Sequence, residues 1–578
     1  MKHIRPILGL VFFFVFYLWN FPIVFESNEL LGRFDWDLYT FHVEFLRKSY
    51  LDFGSFPLWN PYYGAGFPVW ENPSSKSGSF THLLAIVFPS LTALKLSFVF
   101  YFVIAGGFNY HSFQLYNKSS KLITILFVCF FQFSGYFFQK FYAGHMNQVQ
   151  GLFLPAFLFY FLYTIQNKSK WIPYLVILIA YILLSEGAIY TITQATFLLF
   201  FLSGWEIYHS TNPKESFFRF SKFVLLILVI LSFKWIPMFL FVHHVGRYFV
   251  PDQFSLSISD LYPIFFGTSQ HPLLSQSLTQ MQYRYWEYGN YLGQIPLYLL
   301  PLLIVTKRKM IFIVGLLFLT ILIMFGNVDT ISPVKLLEQL PIYSQERVYP
   351  RWSLSVVMLY TWCLAINIQS LTEKTKHKFK IYQSIVILIL LIIHTIDTRK
   401  MNTKYLDEIF VLQPPADTIH NQEIYPITIS TFTDYGSDSR MLPALGANAS
   451  INDIYENLTF YFSNETIDSK NYHGEFFLHP SLQSVKPTNW EPDSFTFDSL
   501  PKGQLLVINQ KFHPGFKAIN TENKPCSWNG YLAVPIQLNS ESIKLKYSLL
   551  GSFRLYNPWE KSQNCSVLFP RFLGPNWN

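Results

Sequence analysis

Apolar stretches of membrane-spanning length recur along the chain and restrict its fold more than any other feature. A helix needs roughly 20 apolar residues to cross a bilayer, and about eleven stretches approach or reach that length. They centre near residues 16, 102, 130, 158, 179, 197, 233, 300, 318, 361 and 389. Only 13% of the 578 residues are charged, against about 25% in soluble domains. The sequence therefore predicts a polytopic α-helical membrane protein with about eleven transmembrane helices.

Basic residues in short loops predict the orientation of these helices. Lys and Arg are concentrated in segments 117–121, 167–170, 213–222, 306–309 and 372–380. Cytoplasmic loops carry such an excess of positive charge, so these five loops and the N-terminus are expected inside. An odd number of spans then places the C-terminus outside. The loops also account for the net charge of +8, so the expected partner is the lipid bilayer and not a nucleic acid.

The N-terminal region predicts a first span and a surface helix. The apolar run from about residue 7 to 25 is long and no small-x-small cleavage site follows it, so we interpret it as an uncleaved transmembrane helix. Farther along, Phe41, Phe45 and Leu46 share helical spacing. This spacing predicts either an amphipathic helix on the membrane surface or an ordinary packed helix.

A change in composition divides the chain into two expected domains. Residues 1–397 form the membrane module, whose long outer loops cover about 26–82 and 244–292. Residues 398–578 are polar and rich in turn residues, and segment 542–547 alternates apolar and polar side chains with period two. We therefore expect an extracytoplasmic β-rich domain of sandwich type at the C-terminus.

The four cysteines fall into two groups. Cys129 and Cys363 lie inside apolar spans and are expected to be inert packing residues. Cys526 and Cys565 lie in the polar C-terminal region, where they could form a disulfide if that region is outside the cytoplasm. Their sequence separation alone does not establish the pairing.

Two carboxylates directly after the first span are the main candidates for chemistry. Asp35 and Asp37 are followed by Pro-Leu-Trp-Asn-Pro at 57–61 and Gly-Ala-Gly-Phe-Pro at 64–68. Charge close to lipid is costly and usually functional. Residues i and i+2 point in different directions, so only one would face a given site unless both chelate a cation from a loop. Helix capping is the alternative, but the surrounding aromatic residues and the Pro/Gly-rich segment favour a shaped pocket.

Other polar residues at the expected outer ends of spans are candidates for binding. His145 can titrate near neutral pH or donate a hydrogen bond to phosphate. Arg347 and Arg351 suit recognition of a phosphate, or alternatively anchoring to lipid headgroups. Glu186 suits a basic partner or a sugar hydroxyl, with a simple turn acid as the alternative. Tyr288 lies in an aromatic segment that suits sugar stacking or an interfacial belt.

The motifs of soluble nucleotide-binding domains are absent from the sequence. It contains no P-loop and no Gly-x-Gly-x-x-Gly pattern. A transferase whose acids lie outside the cytoplasm would lack access to nucleotide sugars. Such an enzyme would need a lipid-linked sugar donor.

The order and spacing of these motifs resemble the YfhO family of bacterial membrane proteins, which is similar to the C-type glycosyltransferases (GT-C). The resemblance runs almost the full length of the chain. It rests on Leu-x-x-Gly-x-x-Pro-Leu-Trp-Asn-Pro-x-x-Gly-x-Gly-x-Pro at 51–68, Gly-His at 144–145, segment 288–296, Arg-x-x-Pro-Arg at 347–351, and His-Pro-Gly-Phe-Lys-Ala at 513–518. Phe516 stands where Trp is usual, and Glu-Asn-Pro at 71–73 departs from a more typical Ala/Asn-rich segment, which leaves donor or acceptor specificity open.

The resemblance implies a GT-C-like fold in a bacterial inner (cytoplasmic) membrane and a glycosyltransferase of hexosyltransferase type. The enzyme would use a polyprenyl-phosphate-linked sugar and an envelope glycan or glycolipid acceptor. Asp35 or Asp37, between which the spacing does not decide, would be the general base. The expected donor-phosphate and substrate-binding residues are Asn60, His145, Glu186, Tyr288, Arg347 and Arg351. A divalent cation, Mg²⁺ or Mn²⁺, bridging carboxylate and phosphate is an option that the mechanism does not require.

Two other functions compete with glycosyl transfer. The chain could be a flippase or transporter of a lipid-linked glycan, or a non-catalytic envelope assembly factor. Transport predicts further charged residues deep in the spans. Few are found, and Lys234 is the clearest, so the sequence favours chemistry at the outer surface.

Overall fold

The computed structural model divides the chain into two units by its internal contacts. One comprises Met1–Trp36, Leu94–Leu231 and Phe249–Val411, and the other Asp37–Ala93, Ser232–Tyr248 and Leu412–Asn578. The residues that the structure describes are 4–19, 21–26, 30–167, 169–245, 256–270, 285–303, 308–326, 332–340, 343–346, 348–373, 380–407, 409–412, 424–429, 441–452, 465–519, 523–537, 541–549 and 564–565.

Helices build the first unit. Several begin at residues suited to helix starts: Ser120 accepts a hydrogen bond from the Ile123 backbone N–H, and Pro213 follows the capping residue Asn212. The longer helices are Ile4–Trp19, Ser90–Asn117, Lys121–Gln132, Gly135–Tyr142, Leu154–Gln166, Ile172–Ser185, Ile189–Tyr208, Pro213–Ile230, Arg308–Met324, Ser353–Glu373 and Lys380–Leu406. Short helical segments are Pro22–Phe25, Val149–Phe153, Ile258–Asp260, Leu261–Phe265, Tyr285–Tyr288, Gln294–Tyr298, Leu300–Leu303, Pro333–Leu337, Tyr343–Gln345 and Tyr349–Trp352.

Five helical stretches in the described part of the chain are long and apolar enough to cross a membrane. A bent pair, Pro213–Ile230 with Ser232–Val242, raises the number to six. The five are Ser90–Asn117, Lys121–Tyr142, Val149–Gln166, Tyr349–Glu373 and Ile381–Leu406. These helices establish a multi-pass α-helical architecture, but they do not reproduce the predicted count of eleven.

Proline residues explain why two of the predicted spans are divided into shorter helical pieces. The first apolar run is divided between the helix Ile4–Trp19 and the short helix Pro22–Phe25, which has proline at its first position. Near residue 300, the chain forms only the short helical pieces Gln294–Tyr298 and Leu300–Leu303. Each piece contains a proline, which removes a backbone donor and restricts the preceding residue.

The second unit contains two antiparallel sheets. The sheet of five has the strand order Cys526–Trp528, Tyr531–Pro535, Leu505–Lys511, Phe476–His479 and Gln483–Ser484. The sheet of four has the order Phe516–Ala518, Glu541–Tyr547, Ser494–Leu500 and Asn489–Glu491. Leu506 and Val534 of the first sheet share a core with Phe495 and Ile543 of the second. The predicted C-terminal sheet region is therefore present.

The remaining elements of this unit are short apart from two helices. They are the helices Trp36–Phe53 (whose first residue ends the first unit), Phe80–Val87, Ser232–Val245 and Met441–Gly446, the turn Pro73–Ser75, and the paired strands Trp59–Asn60 with Phe67–Pro68 and Ile427–Ile429 with Ala449–Ile451. The first unit contributes two further short strands, Leu31–Gly32 and Phe410–Leu412 (whose last residue begins the next part of the second unit).

Segments from the predicted first outer loop share a core with the C-terminal sheets. Phe41, Phe45 and Leu46 are all buried there, so the helix Trp36–Phe53 is a packed helix and the membrane-surface alternative is wrong. The second unit thus combines the first outer loop with the sheet region, whereas the sequence suggested one boundary after residue 397. A disulfide in this unit joins Cys526 to Cys565, with their Cα atoms 5.1 Å apart.

Candidate functional site

Five charged or titratable side chains of the first unit meet around Glu287, and we call this group the Glu287 cluster: Asp35, Lys140, His145, Glu287 and Arg351. Arg351 donates two hydrogen bonds to the Glu287 carboxylate, from Nε to Oε2 at 2.8 Å and from Nη2 to Oε1 at 2.7 Å. Lys140 Nζ lies 3.2 Å from the same Oε2. Such bidentate, charge-assisted contacts fix both partners in orientation.

Lys140 uses its whole hydrogen-bonding capacity inside the cluster. Besides Glu287 Oε2, its ammonium donates to the backbone carbonyls of Trp286 at 2.6 Å and Glu287 at 3.0 Å. An ammonium has three N–H donors, so all three are occupied. Lys140 therefore holds the short helix Tyr285–Tyr288 in place and neutralises Glu287.

His145 connects the ion pairs to Asp35. Its Nδ1 lies 3.9 Å from Glu287 Oε2, and its Nε2 lies 3.4 Å from Asp35 Oδ2. The Asp35 side chain is 20% exposed, whereas the other four are 9% exposed or less. Asp35 is thus the end of the cluster that a substrate can approach.

Backbone contacts bring Asp35 and His145 together. The Asp35 N–H donates to the Ala143 carbonyl at 3.1 Å, and Gly144 adopts a φ of +73°. A Cβ at position 144 would lie 2.3 Å from the backbone nitrogen of Trp36. Only glycine can combine this close approach with a left-handed conformation, so Gly144 sets the distance between the two side chains.

Phe34, directly before the candidate base, has an unusual backbone conformation. Its φ is +60°, in the region that bulky residues rarely adopt. Its ring packs against Trp286, with the ring centroids 4.3 Å apart. Strained positions of this kind concentrate at functional sites, where surrounding contacts maintain them.

The ion pairs determine the protonation state of Glu287. Burial alone would raise the pKa of this carboxyl, but the charges of Arg351, Lys140 and His145 outweigh burial and hold the pKa well below its usual value. Glu287 is therefore a fixed negative charge. Because it is already bound by two cations, it is a poor proton acceptor.

The predicted site residues do not all join this cluster. Asp35, His145 and Arg351 do, whereas Glu186 is buried and accepts a hydrogen bond from the Tyr101 hydroxyl. Tyr288 is buried with its ring 5.1 Å from that of Tyr285.

The remaining candidates lie elsewhere in the chain or outside the described residues. In the second unit, Asp37 is 1% exposed in the first turn of the helix Trp36–Phe53, and Asn60 accepts a hydrogen bond from the Tyr62 backbone N–H. Arg347 lies outside the described residues.

Sequence reasoning missed Lys140 and Glu287. Lys140 lies at the end of the apolar stretch Lys121–Tyr142, and a charge in such a position is a signal of function or of a buried partner. Glu287 lies in the aromatic segment whose pattern suits sugar stacking or an interfacial belt. Its carboxylate, between Tyr285 and Tyr288, is the group that organises the site.

Within the described residues, no group of three or more His, Cys, Asp and Glu side chains has an arrangement suited to a metal ion. The Glu287 carboxylate is also occupied by Arg351 and Lys140. The side chains of the Glu287 cluster therefore do not form a set of ligands that fits a divalent cation.

Comparisons with known proteins show a partial structural similarity. No family model and no curated protein matches the chain. A cryo-EM structure of the arabinofuranosyltransferase AftD from mycobacteria has a TM-score of 0.49 and 11% identity, covering 93% of this chain and 40% of that chain. A mutant of the same enzyme has a TM-score of 0.47 and 12% identity, covering 77% and 33%. The chain thus spans well under half the length of this enzyme.

Proposed function

We propose that this protein is a membrane glycosyltransferase that moves a sugar from a polyprenyl-phosphate donor to a hydroxyl of an outer-face envelope glycan or glycolipid. One observation carries the proposal: Asp35 is a partly exposed carboxylate whose Oδ2 lies 3.4 Å from His145 Nε2, at the open end of a buried ion cluster. A general base needs this combination of access and a fixed orientation.

In the proposed reaction, Asp35 takes the proton from the acceptor hydroxyl. The acceptor oxygen attacks the anomeric carbon and forms the new glycosidic bond. The bond from that carbon to the phosphate oxygen breaks, and its electron pair stays on the polyprenyl phosphate. General base catalysis of this kind typically contributes about 10²–10⁴-fold to the rate.

Asp35 is the better candidate of the two acids. The Asp35 side chain is 20% exposed, whereas Asp37 is 1% exposed. Asp37 also lies in the first turn of a helix, where a negative charge stabilises the helix dipole. We therefore assign base catalysis to Asp35 and a stabilising role to Asp37.

His145 and Arg351 are the proposed partners of the donor phosphate. A guanidinium has five N–H donors, of which Glu287 accepts two, so Arg351 retains donors for negative charge that grows on the leaving oxygen. Lys140 has none left. Arg347 is also a proposed phosphate ligand, because the sequence places it close to the start of an apolar span.

Several broader assignments accompany this proposal. They are a GT-C-like membrane module over residues 1–397, an extracytoplasmic domain over 398–578, and a bacterial inner membrane location with the N-terminus inside. The disulfide Cys526–Cys565 supports the outer location of the C-terminal region, because disulfides persist in oxidising compartments.

The test compares Asp35→Asn with Asp37→Asn in a strain that lacks the protein. Envelope glycans and polyprenyl-linked sugars are measured by mass spectrometry, and membrane levels of each variant by immunoblot. We expect a glycan that lacks one sugar and an accumulated lipid-linked donor with Asp35→Asn at normal protein levels. Asp37→Asn should keep activity per molecule but reduce the amount of protein. Full complementation by Asp35→Asn would refute the proposal and favour transport or assembly.

Lys234, the clearest charged residue within a predicted span, has structural partners. Lys234 donates to the backbone carbonyls of Trp70 at 2.9 Å and Ser77 at 3.2 Å, and lies over the Trp70 ring. These contacts, all within the second unit, explain the buried charge without a transport path. No specific observation therefore favours transport over transfer.

A further inference from the structure

A second polar site lies in the first unit, and the proposed transfer reaction does not use it. It is a cavity of about 370 Å³, within the ~300–1,000 Å³ typical of small-molecule sites. Lys118, Lys309, Gln369 and Glu373 contribute its polar lining, and Trp362 contributes an aromatic wall. We call it the Trp362 pocket.

The Trp362 pocket lies where two candidate spans end and a shorter apolar helix begins. Asn117 and Glu373 are the last residues of two spans, and Lys309 begins the shorter apolar helix Lys309–Met324. These ends adjoin the basic loops that were predicted to face the cytoplasm. Lipid headgroups lie at this level of a membrane, and basic pockets between transmembrane helices are known headgroup sites.

One side of the pocket presents positive charge. Lys309 Nζ contacts Glu206 Oε1 at 2.8 Å and the Tyr116 hydroxyl at 2.9 Å, which leaves one of its three donors available. Lys118 is exposed and makes no hydrogen bond or ion pair with any described residue. These two ammonium groups suit a phosphate.

The other side presents hydrogen-bond acceptors. Gln369 Nε2 donates to Glu373 Oε1 at 2.8 Å, which fixes the orientation of the amide. Its Oε1 is buried and has no partner among the described residues. A buried acceptor without a donor is unfavourable, so a ligand that donates hydrogen bonds to Gln369 and the Glu373 carboxylate would suit this side of the pocket.

We propose that the Trp362 pocket binds the headgroup of phosphatidylethanolamine. Its phosphate would contact Lys118 and Lys309, and its ammonium would donate to Gln369 Oε1 and the Glu373 carboxylate. The ammonium distinguishes this ligand from phosphatidylglycerol, which has no cationic group, and from phosphatidylcholine, whose quaternary ammonium has no N–H donor. The proposal concerns a lipid site separate from the Glu287 cluster and does not rest on the glycosyltransferase assignment.

Native mass spectrometry of the purified full-length protein in detergent tests this proposal. The probes are short-chain phosphatidylethanolamine, phosphatidylcholine and phosphatidylglycerol, with soluble glycerophosphoethanolamine as competitor. We expect phosphatidylethanolamine to bind about tenfold more tightly than the other two lipids, a difference of ~1.4 kcal/mol. Glu373→Gln and Gln369→Leu should remove this preference, and Lys118→Ala should weaken the binding of all three lipids. Glu215→Gln and Lys170→Ala, outside the pocket, are the matched controls.

Each alternative outcome would overturn the proposal. Equal affinity for the three lipids would mean a general phosphate site. Tightest binding of phosphatidylcholine would mean a cation–π site on the aromatic wall, because a quaternary ammonium has no N–H donor. Competition by glycerophosphoethanolamine at the same concentration as the lipid would identify a soluble ligand. Glu373→Gln is a conservative replacement of an exposed side chain. If this variant still prefers phosphatidylethanolamine, the Glu373 carboxylate does not bind the ammonium.

Discussion

Arg351 binds Glu287 through two hydrogen bonds, and the ring of Tyr190 lies 4.4 Å from its guanidinium carbon. Arginine alone among the side chains can form this bidentate contact while stacking on an aromatic face. The pair therefore fixes the short helix Tyr285–Tyr288 relative to the start of the helix Ser353–Glu373. His145 and, through it, Asp35 depend on this arrangement.

Removal of the arginine charge should destabilise the first unit strongly. Arg351→Gln leaves Glu287 buried with one cation fewer, and breaking a buried ion pair in this way costs about 3–5 kcal/mol. Thermal unfolding in detergent measures the effect. Arg219→Gln is the matched control, since its pair with Glu215 is partly exposed and worth less than ~1 kcal/mol. The double variant Glu287→Gln/Arg351→Gln should be more stable than Arg351→Gln. Equal losses for Arg351→Gln and Arg219→Gln would contradict this account.

Gly144→Ala should separate Asp35 from His145. The added Cβ would lie 2.3 Å from the Trp36 nitrogen at a φ of +73°, so the turn must move. A displacement of about 1 Å at a catalytic group can reduce the rate roughly 100-fold, which complementation of the null strain would report. Gly315→Ala is the control, because no atom lies within 4 Å of the new Cβ and alanine favours a helix by ~0.5–1 kcal/mol. Similar activity in both variants would show that the turn tolerates a side chain.

Glu346 should make stability depend on pH. Burial raises its pKa from 4.5 to about 7, although Thr193 and Trp352 donate hydrogen bonds to it. The folded state therefore keeps a proton that the unfolded state loses, and this contribution to stability is full below pH 4.5 and declines as the pH rises to about 7. A shift of this size corresponds to about 3 kcal/mol.

Thermal unfolding between pH 4.5 and 7.5 tests the role of Glu346. Glu346→Gln should flatten the decline in melting temperature, because an amide does not titrate. Glu338→Gln, which alters an acid bonded to the Tyr349 hydroxyl, should leave the decline unchanged. If Glu346→Gln also leaves it unchanged, another group titrates.

The disulfide should stabilise the second unit and report its compartment. Cys526 and Cys565 are separated by 39 residues, and a loop of this length typically contributes about 2–4 kcal/mol. The double Ser variant should lose that amount in denaturant unfolding. In intact cells, both cysteines should resist alkylation until a reductant is added. Alkylation without reductant would place this region in a reducing compartment and contradict the predicted orientation.

Local patterns in the sequence predicted the strands well. The alternation at 542–547 appears as the strand Glu541–Tyr547. Turn residues and period-two alternation act over a few positions, so the signal is contained in the segment itself. The number of spans was less predictable, because Pro296 and Pro301 interrupt an apolar region that composition alone treats as continuous.

The site could be predicted only in part, because its contacts are not local. Asp35, His145 and Arg351 were recognisable as polar groups next to apolar spans. The contact of Lys140 with Glu287 joins residues 147 positions apart, and no pattern in either segment indicates the other. The sequence could therefore nominate residues for the site, but the carboxylate that connects them required the fold.

The composition of the second unit has a consequence for biogenesis. Trp59 donates a hydrogen bond to Gln510, and Tyr547 donates one to Glu71, across 451 and 476 positions of sequence. The ribosome synthesises Gln510 and Tyr547, respectively, 451 and 476 positions after Trp59 and Glu71, so residues 37–93 wait through the synthesis of these intervening residues before their native contacts exist. Contacts between residues so far apart in the sequence form slowly. A nascent or prematurely terminated chain would expose the aromatic residues of segment 37–93, which makes that segment the expected target of chaperones and quality-control proteases.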